Sequence, residues 1–122
     1  MKLYIAGHNQ EDAIAVADAL MGHSAHQITA RWLKKPFNRT NEHSEEERIA
    51  IAEEDHSDIT AANGLVLLAS PKRVPGGKFV EVGIALGQGK PVYILGHREN
   101  MLMWHPSVKR FDSVEDLMKE IG

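Results

Sequence analysis

The run GLVLLAS at positions 64–70 is the feature that most restricts the fold of this chain. A continuous aliphatic run of this kind is typical of a strand that is buried on both faces. Such strands belong to parallel sheets that are covered by helices. The run therefore predicts a central strand, whose partners in the sheet must lie elsewhere in the chain.

Strand-like and helix-like patterns alternate on both sides of this run. The predicted strands are 2–6, 26–32, 64–70, 90–96 and 108–111, and the predicted helices are 11–22, 44–62, the segment around Glu81 and the segment after Ser113. Ser44 with Glu47 forms a capping box, and Ser113 is a cap. The alternation predicts one α/β domain over residues 1–122, with a three-layer αβα arrangement and a parallel sheet of about five strands. Functional residues are expected where the first, third and fourth strands end.

Composition and charge exclude several classes of function. The chain has 122 residues and no cysteine, so disulfides, thiol nucleophiles and thiolate metal sites are excluded. The net charge is -3, and the one basic cluster (Lys34, Lys35 and Arg39) is short, which argues against a nucleic-acid polymer as partner. No segment approaches the ~18 apolar residues of a membrane span. We expect a cytoplasmic protein that binds a small molecule and no membrane.

The glycine-containing segments do not match cofactor motifs. AGHNQED has one glycine where a dinucleotide fingerprint needs three, and GQGKP lacks the first glycine of a Walker loop. No HExxH metal motif occurs. We therefore predict no cofactor and no metal. Gly87 and Gly89 are instead predicted to end a helix with positive φ angles.

Glu81 is a carboxylate within the almost entirely apolar segment KFVEVGIAL, directly after Gly76 and Gly77. A helix that is apolar on nearly all sides is expected to be mostly buried. The positive end of the helix favours the ionised form of Glu81, whereas burial opposes ionisation. Opposing effects of this kind suit a carboxylate nucleophile. Spacing alone favours a glutamate that complements the helix dipole or pairs with Lys78.

Asp55 is the second carboxylate at an apolar position. It shares a helical stripe with Ile51, Ala52, Ile59 and Ala62. A buried carboxyl near another carboxylate has a raised pKa and can donate a proton, but a structural hydrogen bond explains its position equally well. Glu54 and Asp58 are predicted to form a solvated face instead.

Three further residues come from the ends of predicted strands. His8 lies in the loop after the first strand, where it could contact a phosphate or hydroxyl group of a ligand, although a surface position explains it as well. Tyr4 lies near the end of the first strand and Trp32 at the end of the second. Both are more typical of a core than of a site when pattern alone is considered.

Four segments together resemble the nucleoside 2-deoxyribosyltransferase family, including its nucleotide N-hydrolase branch. They are LYIAG, AEEDHSDITAANGLVLLA, GGKFVEVGIALGQGKPVYILG and HRENMLMWHPSVKRF. The resemblance implies a flavodoxin-like fold that cleaves the N-glycosidic bond of a nucleoside or its monophosphate through a covalent sugar–enzyme intermediate. It implies Glu81 as the nucleophile, Asp55 as the acid/base group and Tyr4 as the tyrosine that closes on nucleophile and sugar.

The resemblance also implies a set of binding residues and an oligomer. Asn100 resembles an asparagine that a neighbouring subunit contributes beside the nucleophile, so a homodimer or larger assembly is expected. Trp32 could stack on the base because it follows the second strand. The residues assigned to substrate binding are Gly7, His8, Trp32, Gly77, Lys78 and Asn100.

Two departures from the family pattern leave alternatives open. Asn63 replaces an aspartate that helps to order the site in relatives. The segment SPKRVPGG lacks a clear match to the serine by which the hydrolases hold a 5′-phosphate, and Lys78, His8 or Arg73 could bind a phosphate instead. Nucleoside or nucleotide, transferase or hydrolase, and a non-catalytic nucleotide-binding module on the same fold all remain compatible with the sequence.

Overall fold

The computed structural model describes residues 1–22, 25–36 and 42–122, and within them it contains strands and helices in alternation. The strands are β1 (Lys2–Ala6), β2 (Gln27–Ile28), β3 (Gly64–Leu68), β4 (Val92–Leu95) and β5 (Val108–Phe111). The helices are α1 (Gln10–Met21), α2 (Glu45–Ala61), α3 (Gly77–Gly87) and α4 (Val114–Ile121), with short 3₁₀ helices at Arg31–Lys34 and Met101–Trp104. None of these helices is long and apolar enough to cross a membrane. Arg39 of the basic cluster lies outside the described residues.

All five strands are parallel and lie in the order β2-β1-β3-β4-β5. The register places Tyr4 beside Leu65 and Val66 beside Tyr93. Helices α1 and α4 pack together on one face of the sheet, and α2 and α3 pack together on the other. The predicted α/β fold with about five parallel strands is confirmed. Strand order reverses between β1 and β3, which is where sheets of this kind bind ligands.

The core consists of the strand residues and the inner faces of the helices. Leu65, Val66 and Ile94 of the two central strands β3 and β4 are fully buried, as is Leu117 of α4. The predicted helix starts are also confirmed, because Ser44 and Glu47 form the capping box of α2 and Ser113 caps α4. These elements depend on local sequence pattern, which is why the sequence predicts them well.

The second strand is much shorter than the predicted range 26–32. Only Gln27–Ile28 pairs with β1, and Arg31–Lys34 turns into a 3₁₀ helix. The cause is Asp58, whose two carboxylate oxygens accept hydrogen bonds from the Arg31 backbone N–H and from its Nε, each at 2.9 Å. Asp58 is therefore buried, and its predicted place on a solvated face with Glu54 is wrong.

Helix α3 is not buried on all sides, contrary to the prediction from its composition. Val82 and Ala85 face the sheet, whereas Val80 is 66% exposed. At its end, Gly89 has the predicted positive φ of 73°, but Gly87 remains within the helix and does not. The outer face of α3 therefore carries an exposed apolar side chain at Val80.

Candidate active site

An open cleft of about 530 Å³ lies beside the carboxyl end of β1, between α2 and the start of α3. Its walls come from the loop after β1, from the first 3₁₀ helix, from α2 and from the start of α3. Most of the residues that the sequence assigned to a site line this cleft: Gly7, His8, Trp32, Asp55, Gly77, Lys78 and Glu81. The cleft therefore collects side chains from four separate parts of the chain.

Glu81 is joined to Tyr4 at the floor of this cleft. The Tyr4 hydroxyl donates a hydrogen bond to Oε2 of Glu81. Tyr4 lies in the middle of β1 and is fully buried, so its hydroxyl is held by the sheet itself. Although the sequence pattern alone suggested a core residue, the long phenol side chain reaches from the core to the cleft.

The environment of Glu81 opposes its ionisation. Burial raises the pKa of Glu81 to about 7; the hydrogen bond from Tyr4 lowers it, and the negative charge of Asp55 raises it further. Burial, followed by the charge of Glu81, raises the pKa of Tyr4 far above its ordinary value, so the phenol remains a donor. Near neutral pH, Glu81 can therefore exist as a poorly solvated carboxylate with one fixed hydrogen-bond donor.

Asp55 is half-buried on the wall of the cleft that α2 forms. Burial raises the pKa of Asp55 to about 6; the charges of Asp58 and Glu54 act in the same direction, and those of Lys35 and Arg31 oppose it. The predicted apolar stripe is only partly present, since Ile59 and Ala62 are buried but Ala52 is exposed. A carboxyl group with this pKa can hold a proton at mildly acidic pH and release it to a ligand.

Trp32 forms another wall and is rigidly held. Its Nε1 donates a hydrogen bond of 2.9 Å to the backbone oxygen of Ile5, and the indole is half-buried. Gln10 reinforces this wall, because its Nε2 donates to the backbone oxygens of Trp32 and Lys35 at 2.9 and 2.7 Å. Gln10 also lines the cleft. Nothing in the sequence pattern distinguishes it from other polar residues at a helix start.

The loop after β1 approaches the end of β3 closely. A Cβ atom at Gly7 would stand 3.3 Å from Cβ of Leu68, so glycine permits this approach. The neighbouring His8 is exposed and lies between the cleft and a second cavity. The backbone of this loop is thus placed against the cleft, and His8 lines it with an exposed side chain.

Lys78 does not pair with Glu81, contrary to one of the sequence interpretations, and it is not a solvated charge. Its side chain is 2% exposed, and its Nζ forms an ion pair of 2.7 Å with Glu99. The same ammonium donates to the Leu68 backbone oxygen at 3.2 Å and to the Ser70 hydroxyl at 3.0 Å. The ammonium is therefore already occupied by protein groups.

Two other residues that the sequence singled out lie away from the cleft. Asn100 caps the second 3₁₀ helix, with its Oδ1 accepting from the Leu102 N–H at 3.1 Å, and it borders a different cavity. Asn63 accepts a hydrogen bond of 2.8 Å from the Lys2 N–H at the amino end of the sheet. Asn63 therefore lies at the end of β3 opposite to the cleft, and an effect of this position on the order of the site stays a prediction.

The chemical groups at the cleft include carboxylates, a phenol and aromatic rings. Within residues 1–22, 25–36 and 42–122, no three His, Asp or Glu side chains are grouped as ligands for a metal ion. The arrangement that the described residues provide is a pair of carboxyl groups with raised pKa values beside a fixed phenol donor. Such a pair can combine nucleophilic attack with proton transfer.

Comparison with known proteins gives a family match and several structural neighbours. A family model described as nucleoside 2-deoxyribosyltransferase matches residues 3–118. No curated protein sequence matches the chain.

Three solved structures share the fold at low sequence identity. A 2-deoxyribosyltransferase from Bacillus psychrosaccharolyticus has a TM-score of 0.73 and 22% identity, covering 96% of this chain and 90% of that one. A conserved protein from Enterococcus faecalis has a TM-score of 0.71 and 19% identity, covering 99% and 96%. A CMP N-glycosidase from Clostridium botulinum has a TM-score of 0.60 and 12% identity, covering 99% and 98%.

Proposed function

The chain belongs to the nucleoside 2-deoxyribosyltransferase family. On this premise we propose that it cleaves the N-glycosidic bond of nucleosides, 2-deoxynucleosides or their 5′-monophosphates and passes the sugar to water or to another base. The reaction proceeds through a covalent intermediate in which the sugar is bound to Glu81. The observation that carries this proposal is the hydrogen bond between Tyr4 and Glu81 at the floor of a cleft that Asp55 also lines.

In the first step, Oε1 of Glu81 attacks the anomeric carbon while the bond to the base breaks. The electron pair of that bond leaves with the base, and Asp55 supplies the proton that neutralises it. Tyr4 keeps its hydrogen bond to Oε2, which fixes the carboxylate for attack. Burial supports this role for Glu81, because a poorly solvated carboxylate gains more from an adjacent oxocarbenium charge than a hydrated one.

In the second step, water or another base attacks the same carbon and releases Glu81. Water makes the enzyme a hydrolase, and a second base makes it a transferase. The neighbours described as a 2-deoxyribosyltransferase and a CMP N-glycosidase are consistent with either outcome. Asp55 takes the proton from the attacking group and is ready for another cycle.

The remaining cleft residues are proposed to bind the substrate. The fixed indole of Trp32 supports stacking against the base, and the backbone at Gly7 and Gly77 borders the sugar. His8, an exposed side chain that lines the cleft, is proposed to contact a 5′-substituent, whereas the Lys78 ammonium is occupied by protein groups and only its aliphatic stem is proposed to contact the substrate.

A homodimer or larger assembly is part of the proposal, with Asn100 completing the site of the neighbouring subunit. Exposed apolar side chains on α3 and the second 3₁₀ helix support an interface there. They are Val80 (66% exposed), Met101 (83%), Leu102 (67%) and Trp104 (67%). Exposed apolar groups of this size favour contact with another protein surface. Phe79 and Asn100 border one cavity, so the two elements lie side by side.

The activity is tested by incubating the protein with nucleosides and monophosphates, with and without an acceptor base, and measuring free base by chromatography. Glu81→Ala is expected to lower the release of base by at least ~1,000-fold, as expected for loss of a nucleophile. Glu11→Ala is the matched control, since Glu11 is exposed on α1 and lies outside the cleft. An undiminished rate in Glu81→Ala would refute the proposal, and tight nucleotide binding without any base release would identify a binding module instead.

Trapping the intermediate provides an independent measurement. Acid quenching during turnover, followed by intact-mass analysis, should show protein that has gained one glycosyl group. The added mass should map to the peptide that contains Glu81 and should be absent from Glu81→Ala. A reaction that turns over without any such species would contradict the covalent route.

A further inference from the structure

The buried ammonium of Lys78 connects the start of α3 to three other parts of the chain. It donates to the last residue of β3, Leu68, to Ser70 in the loop that follows, and to Glu99 in the loop after β4. An ammonium has three donors, and all of them are used. Lys78 itself belongs to the first turn of α3, one turn before Glu81.

Glu99 closes this network from the other side. Its Oε1 accepts from the Lys78 ammonium at 2.7 Å and from the Ser70 backbone N–H at 3.1 Å, and its side chain is 11% exposed. In the described part of the chain, the stretch 71–75 makes no main-chain hydrogen bond of its own. The loop between β3 and α3 is therefore fixed at its two ends, and the Lys78–Glu99 pair lies at both.

The first turn of α3 has little else to hold it against the sheet. Among residues 77–80, Lys78 is the buried one, while Phe79 is half-buried and Gly77 and Val80 are exposed. Helical anchors at such positions are ordinarily apolar. Replacing a buried ion pair by apolar residues of similar size is often neutral or stabilising, so stability alone does not account for this pair.

We propose that the Lys78–Glu99 pair is a positioning element for the Glu81 carboxylate, holding the first turn of α3 where Glu81 meets the Tyr4 hydroxyl. The proposal rests on the proposed role of Glu81 as nucleophile. Neither Lys78 nor Glu99 takes part in bond breaking. Directional hydrogen bonds fix the helix start in one arrangement, whereas an apolar contact would allow several.

The test replaces both members by apolar residues in Lys78→Met/Glu99→Leu and measures stability, kcat and KM. Unfolding in urea is expected to show a midpoint at or above that of the parent. The kcat per folded molecule should fall about tenfold or more, because small displacements of a reacting group are costly, while KM changes less than about threefold. Lys109→Met/Glu120→Leu is the matched control, since Lys109 and Glu120 form an exposed pair away from the cleft.

Hydrogen exchange provides a measurement that needs no substrate. The amides of Phe79 and Val80 donate to the Gly76 backbone oxygen and report on the first turn of α3. Their exchange should accelerate about tenfold in Lys78→Met/Glu99→Leu, while exchange of the Leu65 amide in the central strand stays unchanged. Unchanged exchange at Phe79 and Val80, or an unchanged kcat per folded molecule, would overturn the positioning role.

Two further comparisons separate a failure of the positioning role from a failure to fold and from a failure of the proposed function. Glu99→Gln preserves an acceptor for Ser70 and Lys78, so its kcat per folded molecule should exceed that of Glu99→Leu at least about fivefold. Equal values for the two would also overturn the proposal, and this comparison decides the matter if the double variant does not fold. If the parent releases no base from any substrate, the proposed function fails, and hydrogen exchange alone then decides whether the pair orders the helix start.

Discussion

At the scale of single residues, Asp55 and Glu81 are electrostatically coupled in a way that suits two different roles. The charge of Asp55 raises the pKa of Glu81, so a proton on Asp55 makes ionisation of Glu81 easier. The proposed first step requires a protonated Asp55 and an ionised Glu81, which the order of the two pKa values makes the less populated of the two singly ionised forms. Because the pKa values are about 6 for Asp55 and about 7 for Glu81, activity should be highest between pH 6 and 7.

Removing the Tyr4 hydroxyl should shift this pH profile in a defined direction. The hydrogen bond from Tyr4 lowers the pKa of Glu81, so Tyr4→Phe should raise it. Because Glu81 has the higher of the two pKa values, the basic limb of kcat/KM should move to higher pH, while the acidic limb, set by Asp55, stays in place. At pH 6 the loss in kcat should be about tenfold, which corresponds to one hydrogen bond to a charged group of ~1.4 kcal/mol. Rates measured from pH 5 to 9 test this.

Tyr93→Phe is the control for that experiment, since Tyr93 is a buried tyrosine of β4 that does not line the cleft. Its pH profile should match that of the parent. A basic limb that stays in place in Tyr4→Phe would show that the phenol does not influence the ionisation of Glu81.

At the scale of elements, the sequence predicts best those helices and strands that depend on neighbouring residues alone. The strands β1 and β3 and the capped helix α2 follow from their own residues, and their prediction is close to the structure. The first 3₁₀ helix was missed because Arg31 is bound by Asp58, which lies 27 residues further along. Lys78 and Glu99 are likewise 21 residues apart. Side-chain pairs at such separations leave no periodic signal in the sequence.

Asp58 should therefore be more important for stability than its neighbour Glu54. Asp58→Ala leaves the Arg31 backbone N–H without its acceptor and should lower the free energy of unfolding by about 2 kcal/mol. Because Trp32 follows Arg31 directly, KM for the nucleoside should rise as well. Glu54→Ala, which removes contacts to the exposed side chains of Arg31 and Lys35, should cost about 0.5 kcal/mol. Equal losses in urea denaturation would contradict this assignment.

At the scale of the whole molecule, the strand order explains why distant residues meet. Tyr4 comes from β1, Asp55 from α2 and Glu81 from α3, and because α2 and α3 pack on the same face of the sheet, all three residues line or reach one cleft. A cleft at this end of the sheet can be predicted from the alternation of strands and helices. The position of Asn100 beside a separate cavity cannot be predicted in this way, because its proposed role involves a second subunit.

Mixing two inactive variants tests whether the site is shared between subunits. Asn100→Ala should lower kcat at least about tenfold, and Glu81→Ala should lower it further. In a hybrid dimer with two-fold symmetry, one site combines the intact Glu81 of one subunit with the intact Asn100 of the other. After unfolding and refolding of an equal mixture, activity should recover to about a quarter of the parent value, because half of the dimers are hybrids with one working site each.

A substitution among the exposed apolar side chains of α3 and the second 3₁₀ helix provides the control for the recovery of activity in hybrid dimers. Leu102→Asp places a charge among them and should convert the assembly to monomers, as measured by light scattering after gel filtration. The same substitution introduced into both inactive variants should abolish the recovery, whereas Met21→Asp, at an exposed apolar position on α1, should leave it intact. Recovery that persists in monomers, or none at all in confirmed hybrid dimers, would place Asn100 outside the neighbouring site.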